Sequence, residues 1–192
     1  SAGNSGTQET TLTSGNGVTI DKAAPTLSGI TIASNNTDND SSLAKEGDTV
    51  TLSFKASEAI QEPTVAFKSN NVEITNNVTI GNTNDDKLNW TASYTVHEDD
   101  NNGDVSFTID YNDLAGNAGT PVSTVNDGSS VTVDKEAPTL TTVTIQSDNT
   151  NNDTSLAKKD SIVTLSFTAS EDIQQPTVAF KSNDVEITNN VT

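Results

Sequence analysis

The chain has 192 residues, 27 acidic against nine basic, a formal net charge of −18, and only 31% hydrophobic and 4% aromatic residues. That charge argues against nucleic acid and anionic membranes as partners and favours solubility and the binding of cations. There is no Cys, which excludes disulfides and thiolate metal centres, and no apolar run nears the ~20 residues that span a bilayer, so direct membrane insertion is not expected.

Taken in chain order, the apolar residues mark one strand after another. The first predicted strand, 26–34, contains "TLSGITI"; its apolar parity changes between Leu27 and Ile30, which predicts a bulge or a sheet switch near Gly29. After the polar stretch "SNNTDNDSSLAKEGD" comes a second strand, 49–57, with Val50, Leu52, Phe54 and Ala56 on one face. The third, 63–69, aligns Val65 and Phe67, and the fourth, 71–80, aligns Val72, Ile74, Val78 and Ile80. The fifth, 88–97, aligns Leu88, Trp90, Ala92, Tyr94 and Val96; its parity turns Trp90 inward, as a core residue rather than a sugar-stacking platform. The sixth, 104–111, aligns Val105, Phe107, Ile109 and Tyr111, and the seventh, 129–134, aligns Val131 and Val133.

Period-two alternation with one apolar face is the signature of half-buried antiparallel strands. Thr and Ser fill the outward positions, where β-branching suits the pleat. No stretch has a 3.6-residue period. Seven such strands in about 113 residues predict an all-β fold, a two-sheet antiparallel β-sandwich with Greek-key connections.

The same words then recur. Residues 18–27 read "VTIDKAAPTL" and residues 131–140 read "VTVDKEAPTL". Shifting the chain by 113 lays residues 1–79 on 114–192 without a gap, and 52 of the 79 pairs are identical. Tandem repeats of about this period are the size of a small all-β domain. The expected organisation is therefore the C-terminal strand of a preceding repeat over 1–20, one complete repeat over 21–134, and the N-terminal half of a following repeat, with four strands, over 135–192. With no initiator Met and no signal peptide at its start, the chain reads as processed or excised: a segment of a longer array, or a subunit whose incomplete ends are completed by neighbours. Half a sandwich lacks half its apolar partners, so residues 135–192 are expected to order only when covered.

The stretch "DKEAP" reads as the joint between repeats, because Pro138 fixes φ and biases Ala137 towards an extended form. If strands alternate up and down, the loops after the second, fourth and sixth strands share one pole. The loops after the first and fifth share the other, beside Asp134. Carboxylates gather there: Asp38, Asp40, Glu98, Asp99 and Asp100 on one side, Glu171 and Asp172 on the other. Carboxylates brought together repel one another unless a hard cation with six to eight oxygen ligands, such as calcium, lies between them. "NNTDND" has Asn36, Asp38 and Asp40 at alternate positions, and "EDDNNG" has Glu98, Asp100 and Asn102 before Gly103, although Ile109 stands where an EF-hand loop needs its closing Glu. Polar turns account for the same residues without an ion. "DLAGN", Asp113 to Asn117, suits either an ion site or an Asx-stabilised turn.

No catalytic arrangement is expected. His97 is the only His, no nucleophile elbow is present, and no glycine-rich stretch ends as a phosphate loop.

The stretches "VDKEAPTL", "SNNTDNDSSLAKEGDTVTLSFKASEAIQEPTV" and "DYNDLAGNAGT" resemble the bacterial immunoglobulin-like (Big-type) tandem repeats of large surface adhesins and biofilm-associated proteins, and the resemblance covers the whole chain. It implies an immunoglobulin-like sandwich used as an extender on the bacterial cell surface or in extracellular matrix, often with Ca2+ at or near the joints. Transferred motif by motif, Asp21 and Asp134 become joint residues, Glu58 and Glu171 glutamates at the pole, and Asp113 and Asn117 ligands of the "DLAGN" loop. The second repeat departs from the pattern: "AKKDSIV" replaces "AKEGDTV", which removes the equivalents of Gly47 and Asp48.

Three functions follow from these readings. The first is a structural stalk module for cell adhesion or biofilm, partnered by neighbouring repeats of the same protein. The second is a subunit of an extracellular filament, assembled from identical subunits by strand complementation. The third is a ligand- or ice-binding module, for which the scattered Thr residues lack a strict array.

Overall fold

A computed structural model describes residues 11, 15, 17–36, 40–75, 77–83, 85–149 and 153–187. Most of the expected strand at 1–20, and Asp38, lie outside them. The chain divides into two compact units, residues 1–135 and 136–192. Every regular element among the described residues is a β-strand, and no helix there is long and apolar enough to cross a membrane.

Unit 1 holds β1 (Leu27–Ser34), β2 (Leu43–Ala44), β3 (Thr49–Ala56), β4 (Thr64–Ser69), β5 (Val72–Glu73), β6 (Thr79–Thr83), β7 (Asn89–Thr95), β8 (Gly103–Asp110) and β9 (Thr132–Val133). They form two sheets, β1-β3-β7-β6 and β2-β9-β8-β4-β5, antiparallel throughout except for the parallel pair β2–β9.

One core lies between the sheets. Ile30, Leu52, Phe54, Trp90 and Ala92 come from the first, and Val65, Phe67, Phe107, Ile109 and Val133 from the second. Phe67 and Tyr94 bridge the two with ring centroids 5.0 Å apart and planes tilted by 48°. Burying each large side chain contributes roughly 1.5–3 kcal/mol. Trp90 is inward, as its parity requires, and its Nε1 donates to the Lys87 carbonyl at 3.1 Å. The expected irregularity in β1 is present: the register with β3 shifts between Ser28 and Thr31, and Gly29 adopts φ +59°.

The fourth predicted strand requires correction. Residues 71–80 are not one strand: β5 closes a tight hairpin with β4 through Asn70 and Asn71, both at positive φ, and β6 belongs to the opposite sheet. The chain changes sheets between them, with Ile74 buried at the crossing and its N–H donating to the Phe67 carbonyl at 2.9 Å. Both sheets face one core, so alternation continues through the crossing and conceals it. Val72, aligned by parity with the core residues, is 54% exposed. The short β2 is also an addition to the sequence reading; two residues are too few to show a period.

Unit 2 holds β10 (Leu140–Ser147), β11 (Val163–Ala169), β12 (Phe180–Ser182) and β13 (Val185–Ile187), in two antiparallel pairs. The β10–β11 register repeats that of β1–β3 at an offset of 113, from Leu140 opposite Ala169 to the shift between Thr141 and Thr144. Three residues buried in unit 1 have exposed counterparts here: Val143, Ile145 and Val163 stand where Ile30, Ile32 and Val50 are covered, while Leu165, Phe167 and Phe180 are half-buried.

A candidate carboxylate site at one pole of unit 1

The loops after β3 and β8 meet at one end of unit 1, the pole expected from alternating strands. Ile60 and Asp113 form an antiparallel bridge, and the Gln61 N–H donates to the Asn112 carbonyl at 2.9 Å. Gln61 Nε2 donates to the Asp113 carbonyl at 2.8 Å. The segment before β1 reaches the same pole, where the Ser57 N–H donates to the Thr26 carbonyl at 2.9 Å and Ser57 Oγ accepts from the Thr26 N–H at 3.0 Å.

"DLAGN" folds as a turn closed on its own Asp. The Asp113 N–H donates to the Asn117 carbonyl at 3.1 Å, and the Gly116 N–H to the Asp113 carbonyl at 3.3 Å. Gly116 supplies φ +95°, a left-handed conformation that side chains disfavour. Asp113 Oδ1 accepts from the Asn117 N–H and Oδ2 from Asn117 Nδ2, both at 2.7 Å. Burial of this carboxyl, 1% exposed, pushes its pKa up. Hydrogen bonds from the Asn117 side chain and from the N–H groups of Asn117, Gly116 and Ala115 outweigh burial and hold it below the usual Asp range.

Asp21, Glu58 and Asp113 then converge. Each presents a carboxylate oxygen, and the three lie within 4.8 Å of one another. Asp21 is exposed, Glu58 half-buried and Asp113 buried, so the group opens to solvent on one side. Asn117 Nδ2 also lies 3.4 Å from the Asp21 carbonyl. Three hard carboxylates, one of them exposed, fit a hard, oxygen-preferring cation rather than a thiophilic metal.

The other expected ligands have other surroundings. Asp40 Oδ1 accepts from the N–H of Ser42 at 2.9 Å and from its Oγ at 2.5 Å. The hydroxyl bond, then the backbone bond, lowers the Asp40 pKa. Asp153, its counterpart in unit 2, makes the same two bonds to Ser155, so this Asp closes a turn in both places. Asp100 Oδ2 accepts from the His97 N–H at 2.8 Å. Glu98 groups with His97 and Asp99, all exposed, with His97 Nδ1 3.5 Å from Asp99 Oδ2. The Asp134 N–H donates to the Ala44 carbonyl at 2.9 Å, which ties the end of unit 1 to β2. Glu171 is exposed in unit 2, just beyond β11. Asp48 Oδ2 accepts from the Lys45 N–H at 2.9 Å, closing the turn in which Gly47 takes φ +86°. In unit 2 Asp160 takes Gly47's place at φ +70°, and Ser161 Oγ does the capping.

Two residues went unassigned in the sequence reading. Gln61 bears on the "DLAGN" turn, and its only signal is its recurrence as Gln174. Lys135 bonds the loop after β7, and its signal is the recurrence of Asp-Lys at 21–22 and 134–135. Comparison of the chain with protein-family models, with curated proteins and with solved structures gives no match.

Proposed function

We propose that the chain is a structural extender, a stalk module of an extracellular bacterial adhesin or matrix protein. On this reading it is built from tandem immunoglobulin-like Greek-key sandwiches of about 113 residues and stiffened by calcium near the joints. The observation that supports it is the convergence of Asp21 with Glu58 and Asp113. Asp21 opens "DKAAP", the first copy of the joint sequence, while Glu58 and Asp113 belong to loops of the folded unit. A divalent cation among them draws the joint segment onto the pole and removes the mutual repulsion of three carboxylates. Asn117 holds Asp113 ionised and fixed in direction, so the site is ready for a cation.

Calorimetric titration of the chain with calcium tests this. One site on unit 1 is expected, lost in Glu58→Gln and weak for magnesium, which demands a tighter octahedral shell. Absence of binding, or binding unchanged in Glu58→Gln, removes calcium from the reading.

A second reading, the filament subunit, is favoured by the exposed apolar residues of unit 2. Val143, Ile145, Ile162 and Val185 are each more than half exposed, and strands with such faces recruit partners. Concentration-dependent ordered polymers in electron micrographs support this reading, and a persistent monomer in sedimentation rejects it.

A further inference from the structure

The loop after β7 was expected to bind a metal through Glu98 and Asp100. It already holds a cation of the chain's own. Lys135 Nζ donates to the Glu98 carbonyl at 2.6 Å and also to the Asp100 carbonyl. The Lys135 N–H donates to Asn102 Oδ1 at 3.2 Å. The loop is shaped for this: the Asp100 N–H donates to the His97 carbonyl at 3.1 Å while Asp100 Oδ2 accepts from the His97 N–H, so residues 97–100 form a closed turn. That turn presents the alternate carbonyls of Glu98 and Asp100 to the ammonium, and Gly103, at φ +134°, packs so closely on Asn70 that a Cβ there would lie 2.9 Å from the Asn70 Cβ. An ammonium has three donors and no acceptor, and charge-assisted bonds to carbonyls are about twice as strong as neutral ones.

We infer that Lys135 is a built-in cation that locks the start of the joint "DKEAP" onto unit 1, with its ammonium held by the Glu98 and Asp100 carbonyls in place of a metal ion. Asp134 and Lys135 are then fixed to unit 1 by the bonds to Ala44, Asn102, Glu98 and Asp100. The two halves of the Asp-Lys pair thus have separate tasks. The Asp, as seen at Asp21, serves a carboxylate site, whereas the Lys serves a carbonyl site that needs no ion. The inference stands whether or not calcium binds at Asp21.

Amide hydrogen exchange on the full chain, in excess calcium and in chelator, tests it with Lys135→Met, which keeps the length of the stem and removes the charge. Exchange at His97, Asp100 and residue 135 is expected to accelerate about tenfold in the variant, equally in both media, with the Ile109 amide unchanged. In the unsubstituted chain, the Lys135 ammonium protons are expected to exchange slowly and to couple through hydrogen bonds to the Glu98 and Asp100 carbonyl carbons. Three results would overturn the inference. They are unaltered exchange in Lys135→Met, acceleration shared equally by Ile109, and a gain of protection confined to residues 97–102, not shared by Ile109, when calcium is added to the unsubstituted chain.

Discussion

Asn117 grips the carboxylate of Asp113 from both sides, its backbone N–H on Oδ1 and its side-chain Nδ2 on Oδ2, each at 2.7 Å. A buried carboxylate held in this way stays ionised and aimed at Asp21 and Glu58. Replacing Asn117 by Ala leaves the backbone bonds and removes the side-chain bond, so a buried anion loses one of its donors. The expected result is a fall of roughly 5 °C in Tm, together with weaker calcium binding. Differential scanning calorimetry and calcium titration of the same variant measure both, and an unchanged Tm would show that the turn does not depend on its side-chain clasp.

The acid response has a definite sign. The Asp113 pKa is lower in the folded chain than its ordinary value of 3.8. Its contribution to stability is therefore present above the unfolded pKa and is lost as pH falls through the folded one. Asp40, Asp86, Asp127 and Asp153 shift in the same direction through bonds to nearby Ser, Asn or backbone N–H groups. Stability should be level near neutrality and decline below about pH 4. Thermal melts across that range check it, and Asp113→Asn should flatten part of the decline.

Tyr94 has a buried hydroxyl with no hydrogen-bond partner among the described residues. Burial first, and then the nearby Asp100, push its pKa up, so the group stays neutral. An unmade hydrogen bond costs about 1–3 kcal/mol. Tyr94→Phe should therefore leave stability unchanged or raise it by up to about 1 kcal/mol in urea unfolding. A clear loss would reveal a buried water or other partner for the hydroxyl.

Gly47 and Asp160 occupy equivalent turns at φ +86° and φ +70°. Gly47→Asp should destabilise unit 1 by about 1 kcal/mol, because a side chain at that φ is strained. Urea unfolding followed by the fluorescence of Trp90, the only Trp, reports on unit 1 alone.

The all-β character and the core were legible because alternation reports directly on burial: Val50, Leu52, Phe54, Ala56, Phe67, Trp90, Ala92, Tyr94, Phe107, Ile109, Val131 and Val133 were placed by parity and are all buried. The change of sheets between β5 and β6 was not legible, since parity persists when both sheets share one core. At the carboxylate site, Asp21, Glu58, Asp113 and Asn117 were each named from motifs. Their convergence depends on segments far apart in sequence, and no local pattern encodes it. The loop after β7 shows the opposite limit. Its acidic side chains point to a metal, while the bonds to the Lys135 ammonium use backbone carbonyls of Glu98 and Asp100, which every residue possesses and no composition reveals.

The most direct measurement is the thermal melt of unit 1, followed by Trp90 fluorescence, in excess calcium and in chelator. At about one hundred times its dissociation constant, a ligand of the folded state contributes about 2.7 kcal/mol, a rise of roughly 10 °C for a unit of this size. That rise in the unsubstituted chain, and its disappearance in Glu58→Gln, is the predicted result. Coincident melts with and without calcium would contradict the metal-stiffened joint.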